Sequence, residues 1–238
     1  MTAAAPLGRS SVITTGCANV NISCTFAELL TGATIQTNDL VFSGFTRIHI
    51  LGFGYAQIPD LRNIIVYGLD NGGLDPGPGL LFDLGGQWDL GPRGLIDYET
   101  TFGVTSIGNV IKDSSVDLGP NTFADGENSA AGAEDYLFEY AGGPAVYRLV
   151  ADIRPSEAFN EPSVDADIGE YTSLFALLSF RAWAGDSDSG SANLDSFTLR
   201  FSQLETITSV VPEPSSWALL LAGLGLAGRL RRKRKSHS

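Results

Sequence analysis

The sequence predicts an all-β protein: a β-sandwich or jelly-roll body with a short N-terminal helix and one C-terminal hydrophobic helix. Three observations carry this. Apolar and polar residues alternate with period two through most of the chain, as half-buried strands require. The alternating stretches are short and separated by turn chemistry, which absorbs most of the 28 glycines among 238 residues. No long amphipathic helix interrupts them, and 43% hydrophobic residues supply a core.

Residues 1–35 read as an N-terminal segment holding a cysteine loop and the short helix. Cys17 and Cys24 bracket six residues. A disulfide across so short a loop contributes about 2 kcal/mol and belongs outside the reducing cytosol. Free thiols and a metal site are the rival readings. A redox pair favours Cys-x-x-Cys, and zinc needs four ligands where His49 is the only other soft ligand in the body. Thr25 and Glu28 have capping-box spacing and predict a helix over Phe26 to Leu30, ended by Gly32.

Residues 36–204 read as the sandwich body. In 45–51, Ile48 and Ile50 face one way, Arg47 and His49 the other. Residues 62–69 contain the β-branched run Ile64, Ile65 and Val66. In 95–104, Ile96, Tyr98, Phe102 and Val104 alternate with Asp97, Glu99 and Thr101. Tyr136, Phe138 and Tyr140 alternate with Leu137 and Glu139; Tyr147, Leu149 and Ile153 alternate with Arg148 and Asp152. Phe197, Leu199 and Phe201 alternate with Ser196, Thr198 and Arg200. Segment 173–184 is apolar on both faces and reads as a central strand or a short helix, its length and flanking glycines favouring the strand. Turns are expected at 70–73, 75–79, 85–86, 91–92, 125–126 and 142–144, and a linker at 205–211.

Charge and chemistry narrow the function. The formal net charge of −12 excludes a phosphate-tracking nucleic-acid binder. No Gly-x-Ser-x-Gly elbow and no phosphate loop occur, and His49 reads as a surface strand residue. Asp165 and Asp167 are candidates for a glycosidase pair, but an acidic surface needs no catalytic explanation, and the chain is expected not to be an enzyme. Asp186 and Asp188 place oxygen ligands at alternate positions ahead of Gly190, as the start of a calcium loop does. The twelfth position is Phe197 rather than Glu, so the full motif fails. Calcium at Asp186 and Asp188 is the one cofactor candidate; Asp70, Asn71 and Asp75 form a second oxygen-rich turn.

The C-terminal end is a different chemical regime. Up to Gly228 the chain holds nine basic and 27 acidic residues, whereas Arg229, Arg231, Arg232, Lys233, Arg234 and Lys235 follow with no acid. Between them lies the uncharged run Ser215 to Gly228, preceded by Val211-Pro212-Glu213-Pro214. Pro214 can open a helix, Trp217 suits a membrane–water interface, and the basic cluster obeys the positive-inside rule. The run falls short of the about 20 residues of a permanent span; Leu230 and a snorkelling Arg229 extend it, and its length suits a transient anchor. A soluble amphipathic or core helix does not account for six basic residues directly after it.

Pro212-Glu213-Pro214, the apolar segment and the Arg-rich end together closely resemble the PEP-CTERM sorting signal of proteins exported by Gram-negative bacteria, over residues 211–235. The resemblance implies a membrane-embedded, cysteine-protease-like exosortase that recognises Pro212, Glu213 and Pro214. It implies a membrane segment at 215–230, including Trp217, Leu219, Leu220, Leu221, Leu224 and Leu226, and a retention signal in the basic residues that follow. The protein would be held at the inner membrane by its C-terminus, then placed at the cell surface or outside, in a setting of extracellular polysaccharide. Residues 1–12 contain no basic n-region and no apolar h-region, while Ala3-Ala4-Ala5 resembles the small-residue end of a signal peptide. A leader encoded upstream of Met1, or already trimmed, is therefore expected.

Three functional readings follow: a non-catalytic structural or matrix protein of the cell surface; a polysaccharide-binding module using Trp88, Trp183 and tyrosines as stacking faces; and a secreted hydrolase. The sorting signal favours the first, with exosortase, the membrane and extracellular polysaccharide as partners.

Overall fold

The computed structural model describes residues 12–70 and 77–204. The sorting motif at 212–214, the apolar run, the basic tail, the 205–211 linker, Ala3 to Ala5, and Asn71 and Asp75 lie outside the described residues. In chain order the elements are β1 (Val12–Thr15), β2 (Ser23–Thr25), α1 (Phe26–Leu30), β3 (Thr34–Thr37), β4 (Leu40–Phe53), β5 (Ile65–Leu69), β6 (Gly79–Asp83), β7 (Asp89–Leu90), β8 (Leu95–Ser106), β9 (Val110–Leu118), β10 (Phe123–Asp125), β11 (Ala130–Phe138) and β12 (Ala145–Arg154). A 3-10 turn (Pro155–Glu157) follows, then β13 (Phe159–Glu161), β14 (Ser163–Tyr171), β15 (Ser173–Trp183), β16 (Ser191–Asn193) and β17 (Ser196–Leu204).

Eight strands form one sheet in the order β1-β3-β4-β8-β15-β11-β12-β13, and six form another in the order β14-β9-β17-β6-β5-β2. A small third sheet, β10-β16-β7, completes the sandwich-like arrangement. The two large sheets share one core. Phe180 of β15 meets Phe82 of β6 and Phe197 of β17, at ring-centroid distances of 6.4 and 5.2 Å, and Phe42 of β4 meets Phe201 of β17 at 6.0 Å. Each of these rings is fully buried and sits on the inward set of a period-two strand. The stretch read as an N-terminal segment contributes to both sheets: β1 is the edge strand of the larger, with β3, which begins in that stretch, paired beside it, and β2 is the edge strand of the smaller.

Alternation and burial agree along β8 and β17: Ile96, Tyr98, Phe102 and Val104, then Phe197, Leu199 and Phe201, all face the core. Segment 173–184 is the strand β15, paired on both sides with β8 and β11; both its faces are apolar because it is central. Three patterns come out differently. In β11 the inward residues are Ala133, Asp135 and Leu137, so Tyr136 and Phe138 lie on the outer face. In β12 Leu149 and Ala151 are buried, while Tyr147 is exposed. In β4 the register shifts between Arg47 and His49, which leaves Ile48 outside the pairing and 56% exposed.

At the N-terminal end Thr25 caps α1: its side chain accepts the Glu28 N–H, and Glu28 accepts the Thr25 N–H at 2.7 Å. Glu28 also accepts the Ala18 N–H at 2.9 Å, which ties the cysteine loop to the helix. Cys17 and Cys24 form a disulfide with Cα atoms 5.1 Å apart. Among the described residues no helix is long and apolar enough to cross a membrane; the segment expected to do so is the 215–230 run.

Candidate functional site

Two connections meet at one end of the sandwich. The first runs from Gly54 to Ile64, between β4 and β5, and is longer than the usual two to six residues, as functional loops often are. The second runs from Leu84 through β7 to Gly94. Gly54 lets them approach: its φ is +66°, and a Cβ there would run into the Arg93 carbonyl. Gln87 then fastens one to the other. Its Oε1 accepts the Asp60 N–H at 2.6 Å and its Nε2 donates to the Asp60 carbonyl at 3.1 Å.

The space between them is a cleft of about 500 Å³. Tyr55, Ile58 and Pro59 line it on the first connection, beside Gln57, Asp60 and Asn63; Gln87, Asp89 and Leu90 line it on the second. Tyr55 is 84% exposed, the most open aromatic side chain among the described residues. Residues 87–90 alternate: Trp88 and Leu90 point inward, and Gln87 and Asp89 point to the cleft. Trp88 is fully buried against Phe180, with centroids 5.4 Å apart, so it anchors this wall and offers no stacking face. That corrects its reading as a face on which a sugar could stack. Trp183 is half-buried at the end of β15.

The cleft carries no Lys or Arg among its lining residues. Just outside it, Arg62 pairs with Asp60 at 2.7 Å, and its hydrogen bonds and charge hold the Asp60 carboxyl below the ordinary carboxylate range. The side chains of Gln57, Asn63 and Asp89 make no hydrogen bond to another described residue. The arrangement offers an aromatic face, two carboxamides that both donate and accept, and a carboxylate that accepts. Among its described lining residues no nucleophile stands beside a base.

The residues singled out from sequence do not converge here. Asp165 and Asp167 are exposed on β14, an edge strand of the six-stranded sheet. His49 is half-buried on β4, opposite Glu99. Asp186 and Asp188 lie in the loop before β16, where Asp188 pairs with Arg93 at 3.0 Å. Among the described residues no three His, Cys, Asp or Glu side chains come together to hold a metal ion. Sequence reasoning missed the cleft. The available signals were a tyrosine between Gly54 and Pro59 in a long connection, and the Gln87-Trp88-Asp89-Leu90 alternation between Gly85-Gly86 and Gly91-Pro92.

Residues 210–235 match the family model of the PEP-CTERM protein-sorting motif, so the chain carries that motif at its C-terminal end. No curated protein matches the chain. Among solved structures, that of TmCBM61 in complex with beta-1,4-galactotriose is 10% identical, over 66% of this chain and 87% of that one, with a TM-score of 0.26. The enzymatically active domain of bacteriophage CBA120 tailspike protein 4 is 10% identical, over 66% of this chain and 19% of that one, with a TM-score of 0.27. A structure described for the promiscuous specificity of carbohydrate-binding modules from the beta-sandwich superfamily is 7% identical, over 69% and 57%, with a TM-score of 0.26. Likenesses this distant carry no argument about the cleft.

Proposed function

We propose that this chain is an exported bacterial cell-surface or extracellular-matrix protein, sorted by exosortase through residues 212–235, with a non-catalytic structural role linked to extracellular polysaccharide. The observation that carries the reading is the PEP-CTERM protein-sorting motif at residues 210–235. Its chemistry is consistent with processing at a membrane surface. Pro212 and Pro214 restrict the backbone on either side of Glu213 and favour an extended presentation of its carboxylate. The apolar run holds that segment at the bilayer, and the six basic residues resist translocation. A disulfide and an acidic body suit the far side of the membrane. Deleting residues 212–235 tests it. The body should then appear unprocessed in the periplasm or medium; unchanged membrane association and processing would overturn the reading.

A second reading, a carbohydrate-binding module, is favoured by the cleft with its exposed Tyr55 and the Gln57 and Asn63 carboxamides, which make no hydrogen bond to another described residue. It is compatible with the first, since a matrix protein must hold the polymer around it.

A further inference from the structure

We infer that the cleft between the Gly54–Ile64 connection and the 87–94 segment takes an uncharged sugar unit of a polysaccharide chain, stacked on Tyr55 and held by Gln57, Asn63 and Asp89. The inference rests on the carbohydrate-binding reading and adds a place, a set of residues and a charge class. The walls differ in chemistry. Tyr55 and Ile58 present exposed apolar surface, while Gln57, Asn63 and Asp89 present polar groups with no hydrogen bond to another described residue. A ligand that satisfies both has a C–H face and a rim of hydroxyls. Each hydroxyl both donates and accepts, which matches carboxamides in either direction and a carboxylate as acceptor. The C–H face gains from contact with an aromatic ring, which has only two side-chain torsions to lose on binding.

The charge class follows from what the cleft lacks. No cation lines it, and Asp89 has no ion-pair partner among the described residues. An acidic polymer would meet that carboxylate inside a body with a large acidic surplus. A cationic ligand has only Asp89 to gain, because Arg62 already neutralises Asp60. The site is also pre-formed. Gln87 spends its amide on Asp60 and fixes the gap between the walls, and buried Trp88 fixes the direction of Asp89. A cleft that needs no reorganisation can bind a flexible chain with few contacts.

The test uses the full-length chain in mild detergent, titrated calorimetrically with cellohexaose, xylohexaose and galactohexaose, with hexagalacturonate as the acidic probe and chitosan hexaose as the cationic one. At least one neutral hexamer should bind. Tyr55→Ala should weaken it by about tenfold or more, Asp89→Ala should weaken it too, and Tyr140→Ala, an exposed tyrosine away from the cleft, should leave it unchanged. Tyr55→Phe should retain most of the affinity, because the ring face remains. Neutral binding that survives Tyr55→Ala overturns the site. Preferential binding of the acidic or cationic hexamer overturns the charge class and leaves the binding-module reading standing. No binding of any hexamer at millimolar concentration overturns both.

Discussion

Asp135 lies between Ala133 and Leu137 on the inward face of β11, fully buried, with neither carboxylate oxygen hydrogen-bonded to another described residue. Its cross-strand neighbours are Leu149 and Leu178, so nothing beside it in the sheet compensates a charge. Burial pushes its carboxyl up from 3.8 to about 8. The sign of the pH dependence follows. Below the unfolded value both states hold the proton. Between 3.8 and about 8 the unfolded chain ionises while the folded one stays neutral, so folding takes up a proton and stability falls as pH rises through that window. Asp135→Leu removes both the desolvated carboxyl and this pH term. It should stabilise by about 1–3 kcal/mol at pH near 8, and its melting-temperature advantage over the parent should shrink on acidification towards pH 5. An advantage that is the same at both pH values would mean the carboxyl is compensated in the folded state.

At the scale of elements, a single carboxylate, that of Glu28, ties the cysteine loop to α1. Desolvation works to raise the Glu28 carboxyl, but hydrogen bonds from the Thr25 and Ala18 N–H groups and the Thr25 hydroxyl outweigh it, and the group lies below its ordinary range. A depressed carboxyl contributes stability that is present above its unfolded pKa and lost as pH falls through the folded one. Glu28→Ala should therefore cost about 1–2 kcal/mol at neutral pH, with the deficit fading in acid; chemical denaturation at two pH values checks it. Thr25 and Glu28 could be read from sequence because a capping box is a local pattern of four residues. β8 and β17 were legible because their apolar sets are unmixed, whereas β15, apolar on both faces, could be read as a strand only from its length and flanking glycines. In β11 both alternating sets contain apolar residues, so period two reveals a strand but not which face turns inward; pairing with β12 and β15 decides that. The cleft was illegible for a related reason. Tyr55 and Asp89 come from connections about thirty residues apart, joined by the Gly54–Arg93 approach and the Gln87–Asp60 hydrogen bonds. β7 is only Asp89–Leu90, so the alternation over residues 87–90 is a short pattern bounded by glycines and easily taken for a turn.

For the molecule as a whole, removal of the sorting signal changes the charge more than the core. The core cluster lies entirely within the described residues 12–204, where both large sheets close on each other through the Phe180, Phe82 and Phe197 rings and through Phe42 against Phe201. A chain ending at Val211 holds nine basic and 26 acidic residues, a formal −17 against −12 for the whole. Several of its cations already have partners: Arg62 with Asp60, Arg93 with Asp188, Arg148 with Glu134, and Arg154 and Arg181 with Asp152. The remaining acidic surplus repels itself across the surface and weakens the compact state at low salt, where the Debye length is about 30 Å at 0.01 M and about 8 Å at 0.15 M. The 1–211 chain should therefore unfold cooperatively, and its melting temperature should rise as sodium chloride is raised across that range. A melting temperature indifferent to salt would show that the surplus is locally compensated. A broad, uncooperative melt would show that the body needs its C-terminal residues to close the core.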